Sequence, residues 1–218
     1  MLLSKRSLQT IAIILGLMII GAGIGIYASR YYHVSQPPEF IEGMLWPDPK
    51  QIGAFTVVDH EGEAFGINNL KGKWSFLFFG YTQCPDVCPV TMSVMDVVHN
   101  RLQQAGLTAE VQTIFITIDP ERDTIARLAE YTGFFNDDFH GVGGSHEQVD
   151  SLAGQIGIAY SYAPAADDGN YLVAHTSSIF LLDPEVRLVS IFSAPHNADT
   201  IESRFLAIET FIRNQDQN

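Results

Sequence analysis

The two cysteines of the chain, Cys84 and Cys88, stand four residues apart in the stretch GYTQCPDVCP at residues 80–89. An apolar run at residues 76–79 precedes this stretch, and a longer segment at residues 90–107 follows it. The pattern predicts a buried strand that turns into a helix at the cysteines. Open α/β folds place their chemistry at such strand ends.

The spacing allows both sulfur atoms to reach one target. Side chains at i and i+4 share a helix face, so a helix that begins within the motif brings the two thiols together. The target is either the other sulfur, in a disulfide, or a metal ion. Proline suits the first position of a helix, which predicts a start at Pro89 with Cys88 at or near the cap. Unpaired N–H groups and the helix dipole then favour a thiolate at Cys88.

The composition and net charge of the chain limit the kinds of molecule it is expected to bind. Hydrophobic residues make up 46% and charged residues 17% of the 218 residues, and the formal net charge is −13. Lys5, Arg6 and Arg30 are the only charged residues among the first 30, so residues 31–218 carry 9 basic and 25 acidic residues and a net charge of −16. Nucleic acid is therefore not expected as a partner.

The N-terminal segment is predicted to anchor the protein in a membrane. Residues 11–28 are 18 consecutive uncharged, mostly apolar residues, which is long enough to span a bilayer. No small-x-small cleavage site follows, so we expect an uncleaved anchor. Lys5 and Arg6 outnumber Arg30, which places the N-terminus in the cytoplasm. The expected protein is single-pass in the inner (cytoplasmic) membrane, with its soluble domain on the oxidising, periplasmic side.

Three segments are predicted along the chain: a membrane anchor over residues 1–30, a proline-bearing tether over 31–50, and a globular domain over 51–218. The domain's pattern gives a hairpin over 55–65, strands near 75–80, 111–118 and 139–142, helices over 89–104, 124–131 and 146–156, a surface loop over 160–170, two strands within 171–192 and a last helix over 197–213. A βαβ core followed by a hairpin and a helix is the thioredoxin arrangement. The expected fold is α/β, thioredoxin-like, with an added N-terminal β-hairpin and a preceding transmembrane helix.

Two departures from thioredoxin-type oxidoreductases favour a metal site. Such enzymes have two residues between their cysteines, whereas Cys84 and Cys88 have three. They also have a cis-proline that faces the cysteines, and the corresponding place here is about Ser177. His175 stands near that place, at the start of a strand expected to lie beside the motif. Two thiolates and an imidazole suit Cu(I) and accommodate Cu(II), and zinc accepts the same ligands.

The motifs in combination resemble the Sco/SenC family of copper proteins. They are GKW at residues 72–74, FFGYT with CPDVCP at 78–89, DPERDT at 119–124, and YLV with His175 at 171–175. The resemblance covers most of residues 50–210 and includes the N-terminal anchor. Two departures stand at Ala174, where members often have aspartate, and at Ile125, where they often have proline.

The resemblance implies a thioredoxin-like fold and copper held by Cys84, Cys88 and His175. It also implies assistance in assembling the binuclear copper centre of cytochrome c oxidase, as a metallochaperone that delivers copper to the centre or prepares it, as a thiol reductant of the oxidase subunit, or as both. We expect a metallochaperone and not an enzyme, with thiol-disulfide reduction as an accessory activity at most. Its expected partners are the copper-receiving subunit of that oxidase and other copper carriers or thiol reductants.

The alternative function is a thiol-disulfide oxidoreductase or redox sensor that uses the same cysteine pair. Because a disulfide cannot bind copper as two thiolates, copper loading would depend on the redox state of the pair. Peroxide reduction is disfavoured, since no arginine stands near Cys84 in the sequence.

Asp86 is either an acceptor near the metal site or an ordinary loop residue, and Met92 is expected to pack in the core. The remaining histidines are expected to be structural or solvated; they are His33, His60, His99, His140, His146 and His196.

Overall fold

The computed structural model of the protein describes residues 5–32, 37, 39–43, 45–107, 110–166 and 169–216. The chain divides into two units, and one of them contains helix α1 (Lys5–Tyr32), which covers the apolar run of residues 11–28. Among the described residues, no helix combines the length and the apolar character needed to cross a membrane. The anchor stays a prediction, and His33 lies outside the described residues.

The second unit, Glu39–Thr210, contains the mixed α/β domain. Its elements in chain order are β1 (Leu45–Gln51), β2 (Thr56–Asp59), β3 (Ala64–Gly66), α2 (Ile67–Leu70), β4 (Trp74–Gly80), α3 (Val87–Gln104), β5 (Val111–Thr117), α4 (Ile125–Phe135), β6 (His140–Gly143), α5 (His146–Ile156), β7 (Tyr160–Tyr162), β8 (Val173–His175), β9 (Ile179–Leu182), β10 (Arg187–Phe192) and the part of α6 (Ala198–Asp216) up to Thr210.

Eight strands form one sheet in the order β1-β10-β9-β4-β5-β6-β2-β3. Strands β4, β5 and β6 are parallel, and α3 and α4 make the crossovers between them. Strand β9 runs antiparallel to β4, and β10 antiparallel to β9. This is the predicted βαβ core with a C-terminal hairpin, and the predicted N-terminal hairpin is present as β2 and β3.

The core explains why β4 and β5 are continuously apolar in sequence. Every residue of both strands is buried, because helices cover a parallel sheet on both faces. Helix α3 contributes a buried stripe that includes Cys88, Met92 and Met95, and Met92 is fully buried, as expected for a core residue. The cysteine motif therefore follows a rigid central strand.

Two strands are absent from the sequence prediction. Residues 45–51, the end of the predicted tether, form the edge strand β1, which pairs with β10. Its two prolines suit a sheet edge because proline has no N–H to donate to a second neighbour. Strand β7 lies in the predicted surface loop and pairs with β8 in a separate two-stranded sheet. We call residues 159–166 and 169–176, which contain β7 and β8, the ribbon.

Candidate metal centre

The cysteine motif bends at the carboxyl end of β4. Cys84 lies in a turn in which its N–H donates to the carbonyl of Tyr81 at 3.1 Å. Helix α3 begins at Val87, so Cys88 is its second residue and Pro89 its third. The predicted start at Pro89 is two residues too late. Cys84 lies outside the helix, and the two sulfurs converge from a turn and a first helical turn, not from one helix face.

Sheet topology brings His175 to the same place. Strand β9 is antiparallel to β4, and its first residue, Ile179, pairs with Phe78 near the end of β4. The residues just before β9 therefore lie beyond the carboxyl end of β4, where the motif turns. His175 is among them, and its Nε2 atom is 3.7 Å from Sγ of Cys88. The prediction that His175 starts the strand beside the motif was wrong, because His175 ends β8 in the separate two-stranded sheet and the neighbouring strand β9 begins only at Ile179.

Cys84, Cys88 and His175 form the one cluster of at least three His, Cys, Asp or Glu side chains in the described chain that could hold a metal ion. Their ligand atoms all lie within 4.8 Å of one another. Metal–sulfur and metal–nitrogen bonds of about 2.0–2.3 Å put ligand atoms roughly 4 Å apart around one ion. The donor set and its spacing therefore fit a soft metal ion after small side-chain shifts. The cysteines are not joined to each other.

The imidazole of His175 is oriented for ligation through Nε2. Its Nδ1 atom is 3.0 Å from the carbonyl oxygen of Thr176, and a carbonyl only accepts, so Nδ1 carries the proton. The rings of Phe78 and Tyr81 meet the imidazole at 6.3 and 6.2 Å between centroids. Ligating histidines are usually oriented by such a hydrogen bond to the second nitrogen. In this chain the carbonyl of Thr176 performs this role.

The two sulfurs differ in their proton affinity. The hydrogen bond that Cys88 donates is the main cause that lowers the pKa of the Cys84 thiol, despite its burial. The pKa of Cys88 is raised, first because its proton makes the bond to Cys84 and second because its side chain is buried. Cys84 is 9% exposed and Cys88 is 0% exposed. The thiolate therefore lies at Cys84, and the helix-dipole prediction for Cys88 was wrong because desolvation and the shared proton outweigh the dipole.

This asymmetry predicts selective alkylation of the reduced, metal-free protein. An ordinary thiol with a pKa of about 8.5 loses roughly 50-fold in thiolate between pH 8.5 and 6.5. Iodoacetamide should instead modify Cys84 with less than about a tenfold fall in rate over that range, since a lowered pKa keeps Cys84 ionised. Peptide mapping by mass spectrometry after brief labelling measures both sites. Preferential labelling of Cys88, or an ordinary pH profile at Cys84, would contradict the assignment, and Cys84→Ser provides the background.

Gly80 makes room for the second sulfur. A Cβ atom built on Gly80 would lie 2.9 Å from Sγ of Cys88 and 2.9 Å from Cε2 of Phe115. Both neighbours are fully buried. The last residue of β4 must therefore lack a side chain for Cys88 to occupy its position.

The side chain of Asp123 connects the cysteine motif to strand β5 through hydrogen bonds. Its buried carboxylate accepts from the N–H of Thr82 at 2.9 Å and from the hydroxyls of Thr82 and Thr117 at 2.6 Å each. The side chain of Thr124, the N-cap of α4, accepts from the N–H of Arg127. No local pattern indicates the role of Asp123, because its hydroxyl partners lie 41 and 6 residues away in the chain.

The other candidate residues lie outside the cluster. Asp86 is exposed and is the N-cap of α3, although its side chain makes no capping hydrogen bond. The described histidines outside the site have the following partners: His60 accepts from the N–H of Gly141, His99 meets Asp138, His140 stacks near His60, His146 lies near Tyr162, and His196 meets the carbonyl of Ser177. The position that a cis-proline occupies in thioredoxin-type oxidoreductases is Ser177 in this chain. Among the described residues, the cis peptide bond is that between Ala194 and Pro195.

The fold and the cluster define a class: a thioredoxin-like domain that carries a cysteine-cysteine-histidine site suited to a soft metal ion. The SCO1/SenC family model matches residues 47–208. The chain is 35% identical over 149 residues, 68% of its length, to the bovine mitochondrial protein SCO2 homolog, of which it spans 56%. The chain belongs to the SCO1/SenC family.

Solved structures agree with this assignment. Copper-bound ScoI from Arabidopsis thaliana superimposes with a TM-score of 0.67 at 30% identity, over 74% of this chain and 98% of that one. Copper-bound ScoI from Bradyrhizobium japonicum gives a TM-score of 0.65 at 31% identity, over 74% of this chain and 99% of that one. The predicted thioredoxin-like fold and family resemblance are thereby confirmed.

Proposed function

We propose that this protein binds copper through Cys84, Cys88 and His175 and acts as a metallochaperone in the assembly of cytochrome c oxidase. The observation that carries the proposal is the convergence of three soft ligand atoms within 4.8 Å. Each comes from a different element, and all three are held at the carboxyl end of a buried strand. Thiolate and imidazole ligands favour copper over hard cations, and the two solved relatives described above hold copper.

Copper is the cargo in this proposal. Three protein ligands are one fewer than a closed structural site supplies, so a position remains for a ligand from a donor or an acceptor. Cys84, at 9% exposed, is the more accessible of the two sulfurs, and its lowered pKa keeps it available as a thiolate. The proposed recipient is the copper-receiving subunit of cytochrome c oxidase, and other copper carriers or thiol reductants would load the site or keep it reduced.

The second candidate function is reduction of a partner's disulfide. The low pKa of Cys84 and the adjacent thiol of Cys88 favour it. The Cys84 thiolate would attack one sulfur of the partner disulfide, and Cys88 would then displace the second partner thiol. Two electrons pass to the partner, which gains two thiols, and this chain is left with a Cys84–Cys88 disulfide. The same oxidation removes both thiolate ligands, so it closes the copper site.

The location is also proposed. Helix α1 would anchor the chain in the inner membrane, the segment between α1 and β1 would act as the tether, and the domain that begins with β1 would face the periplasm. The uncharged run of residues 11–28 and the basic residues before it support this arrangement. The net charge of −16 over residues 31–218 suits a basic docking surface on the partner and not nucleic acid.

Addition of Cu(II) to the reduced full chain tests the copper proposal. We expect one equivalent to bind, with an intense visible absorption from thiolate-to-copper charge transfer and with nitrogen hyperfine structure from one imidazole in the electron spin resonance spectrum. The oxidised, disulfide-bonded chain should show neither signal, because it lacks both thiolates. Absence of charge transfer in the reduced chain would overturn the cysteine ligands.

A further inference from the structure

The third ligand is carried by the ribbon, which lies outside the main sheet. Its strands contribute three residue pairs, including Tyr160 with His175 and Tyr162 with Val173. An isolated two-stranded sheet of this size is marginally stable in water. The position of His175 must therefore depend on contacts between the ribbon and the rest of the domain.

Two tyrosine hydroxyls attach the ribbon to the end of β5. Tyr162 donates to the carbonyl of Ile118 at 2.7 Å, and Tyr171 donates to Oδ1 of Asp119 at 2.7 Å. The N–H of Ile118 in turn donates to the carbonyl of Gly80 at 2.8 Å, the residue that makes room for Cys88. The ribbon is thus tied to the segment that borders the cysteine motif.

Arg122 completes this attachment. Its Nε donates to Oδ2 of Asp119 at 2.5 Å, and its guanidinium carbon lies 3.5 Å from the centroid of the Tyr171 ring. Asp119 is 0% exposed, and its two oxygens accept from Tyr171 and Arg122. Nη2 of Arg122 is buried and has no hydrogen-bond partner within the described residues, and the guanidinium lies closer to the ring of Tyr171 than to that of Tyr81, which is 5.6 Å away. Each of the three side chains touches the other two.

We propose that Asp119, Arg122 and Tyr171 form a clamp that positions His175 over the cysteines, and that the clamp therefore controls whether the third ligand is available. This inference rests on the proposed three-ligand copper site. A carboxylate buried between a phenol and a guanidinium is a strong, directional attachment, whereas the ribbon's own strands are short. Loosening the clamp frees the histidine and leaves Cys84 and Cys88, which lie on other elements, in place.

The clamp is tested with Tyr171→Leu in the full chain, which removes both the hydroxyl and the ring. Without metal, the ribbon amides of Ala163 and Thr176, which bond to Leu172 and Ala159, should exchange with deuterium at least about tenfold faster, as expected for local opening. Cu(II) affinity should fall about 10- to 100-fold, the usual effect of disturbing the support of a metal-bound histidine. Imidazole hyperfine structure should weaken while thiolate charge transfer remains.

Two further variants distinguish a loss of His175 positioning from a general destabilisation of the protein. Tyr171→Phe keeps the stack under Arg122 and should show an intermediate effect, and it decides the question if Tyr171→Leu does not fold. Tyr160→Phe is the comparison variant, because its hydroxyl also attaches the ribbon to a carboxylate, that of Asp150 in α5, but does not reach Asp119. Because the clamp stays intact in this variant, its ribbon exchange and copper spectrum should change less than those of Tyr171→Phe, and an equal or larger change would overturn the clamp's specific role.

The outcomes distinguish the clamp from the copper site. Unchanged ribbon exchange and unchanged imidazole hyperfine structure in Tyr171→Leu overturn the clamp and leave the copper site standing. If wild-type protein shows no imidazole nitrogen on copper, the three-ligand site fails, and the exchange rates then show only whether the three side chains order the ribbon. In that case the proposed control of the third ligand is rejected.

Discussion

His175→Ala is expected to lower Cu(II) affinity by more than about 100-fold without unfolding the domain. Altering an outer partner of a metal-bound histidine costs about 10- to 100-fold in affinity, so loss of the ligand itself should exceed that range. The side chain is only half-buried and makes one hydrogen bond to the backbone, at Thr176, so its loss leaves no large cavity. Competition against a chelator of known affinity measures the change, and circular dichroism checks the fold.

His60→Ala is a suitable control for this experiment. His60 is also half-buried and also bonds one backbone group, the N–H of Gly141, but it lies in the turn between β2 and β3 at the far side of the sheet. Its replacement should leave copper affinity unchanged. Equal affinity in His175→Ala and wild type would refute the three-ligand site.

The same variant separates the two candidate functions. Reduction of a partner disulfide needs the sulfurs of Cys84 and Cys88 but not an imidazole ligand. If the oxidoreductase is the main function, His175→Ala should retain thiol-disulfide exchange and support of oxidase assembly, whereas Cys88→Ser should abolish both. If copper delivery is the main function, His175→Ala should lose support of assembly while exchange continues.

Gly80→Ala is expected to impair both stability and copper binding. The added methyl would meet Sγ of Cys88 and Cε2 of Phe115 at 2.9 Å each, closer than such atoms pack. Both neighbours are fully buried, so relief requires movement of the sulfur or of the ring. Overpacking of this kind costs about 1–3 kcal/mol of the free energy of unfolding. Displacement of Cys88 should also lower copper affinity by at least about tenfold.

Urea unfolding of the reduced, metal-free chain and copper competition measure these two effects. Gly154→Ala is the matched control, because Gly154 lies inside α5 and an added Cβ meets nothing within 4 Å. That change should stabilise the protein by about 0.5–1 kcal/mol, since alanine is the better helix residue, and should leave copper binding unaltered. A Gly80→Ala protein as stable and as tight-binding as wild type would show that the close approach of Cys88 to β4 is incorrect.

The cysteine asymmetry bears on both functions. A thiolate at the more exposed Cys84 is positioned to meet a partner first, either as a copper ligand or as a nucleophile. Cys88, which is buried and protonated in the metal-free state, then binds the copper as the second thiolate ligand or attacks the mixed disulfide that Cys84 forms with the partner. Copper binding must displace the proton of Cys88, so affinity should rise with pH.

Much of the fold was predictable because its signals are local. Continuous apolar runs predicted β4 and β5, and the sequence pattern predicted α5 over His146–Ile156 and the end of α3 at residue 104. Strands β1 and β7 were missed for the opposite reason. Residues 45–51 contain two prolines, and residues 160–162 are followed by a glycine-bearing polar segment, so neither looks like a strand until its distant partner is known.

The sequence by itself determined that a cysteine pair with four-residue spacing follows a buried strand in a thioredoxin-like order of elements, and that His175 is the histidine closest to the expected cis-proline position. These features depend on neighbouring residues and on a few recognisable motifs. Local pattern was also enough to favour a metal site over a standard oxidoreductase.

Only the tertiary structure decided which sulfur is the thiolate, how His175 is oriented, and why Gly80 is required. It also revealed the contacts of Asp119 and Arg122 with Tyr171, about 50 residues further along the chain. Desolvation, shared protons and aromatic stacking depend on which atoms lie within a few ångströms. That proximity is set by the pairing of β9 with β4 and by the packing of the ribbon, which no local pattern encodes.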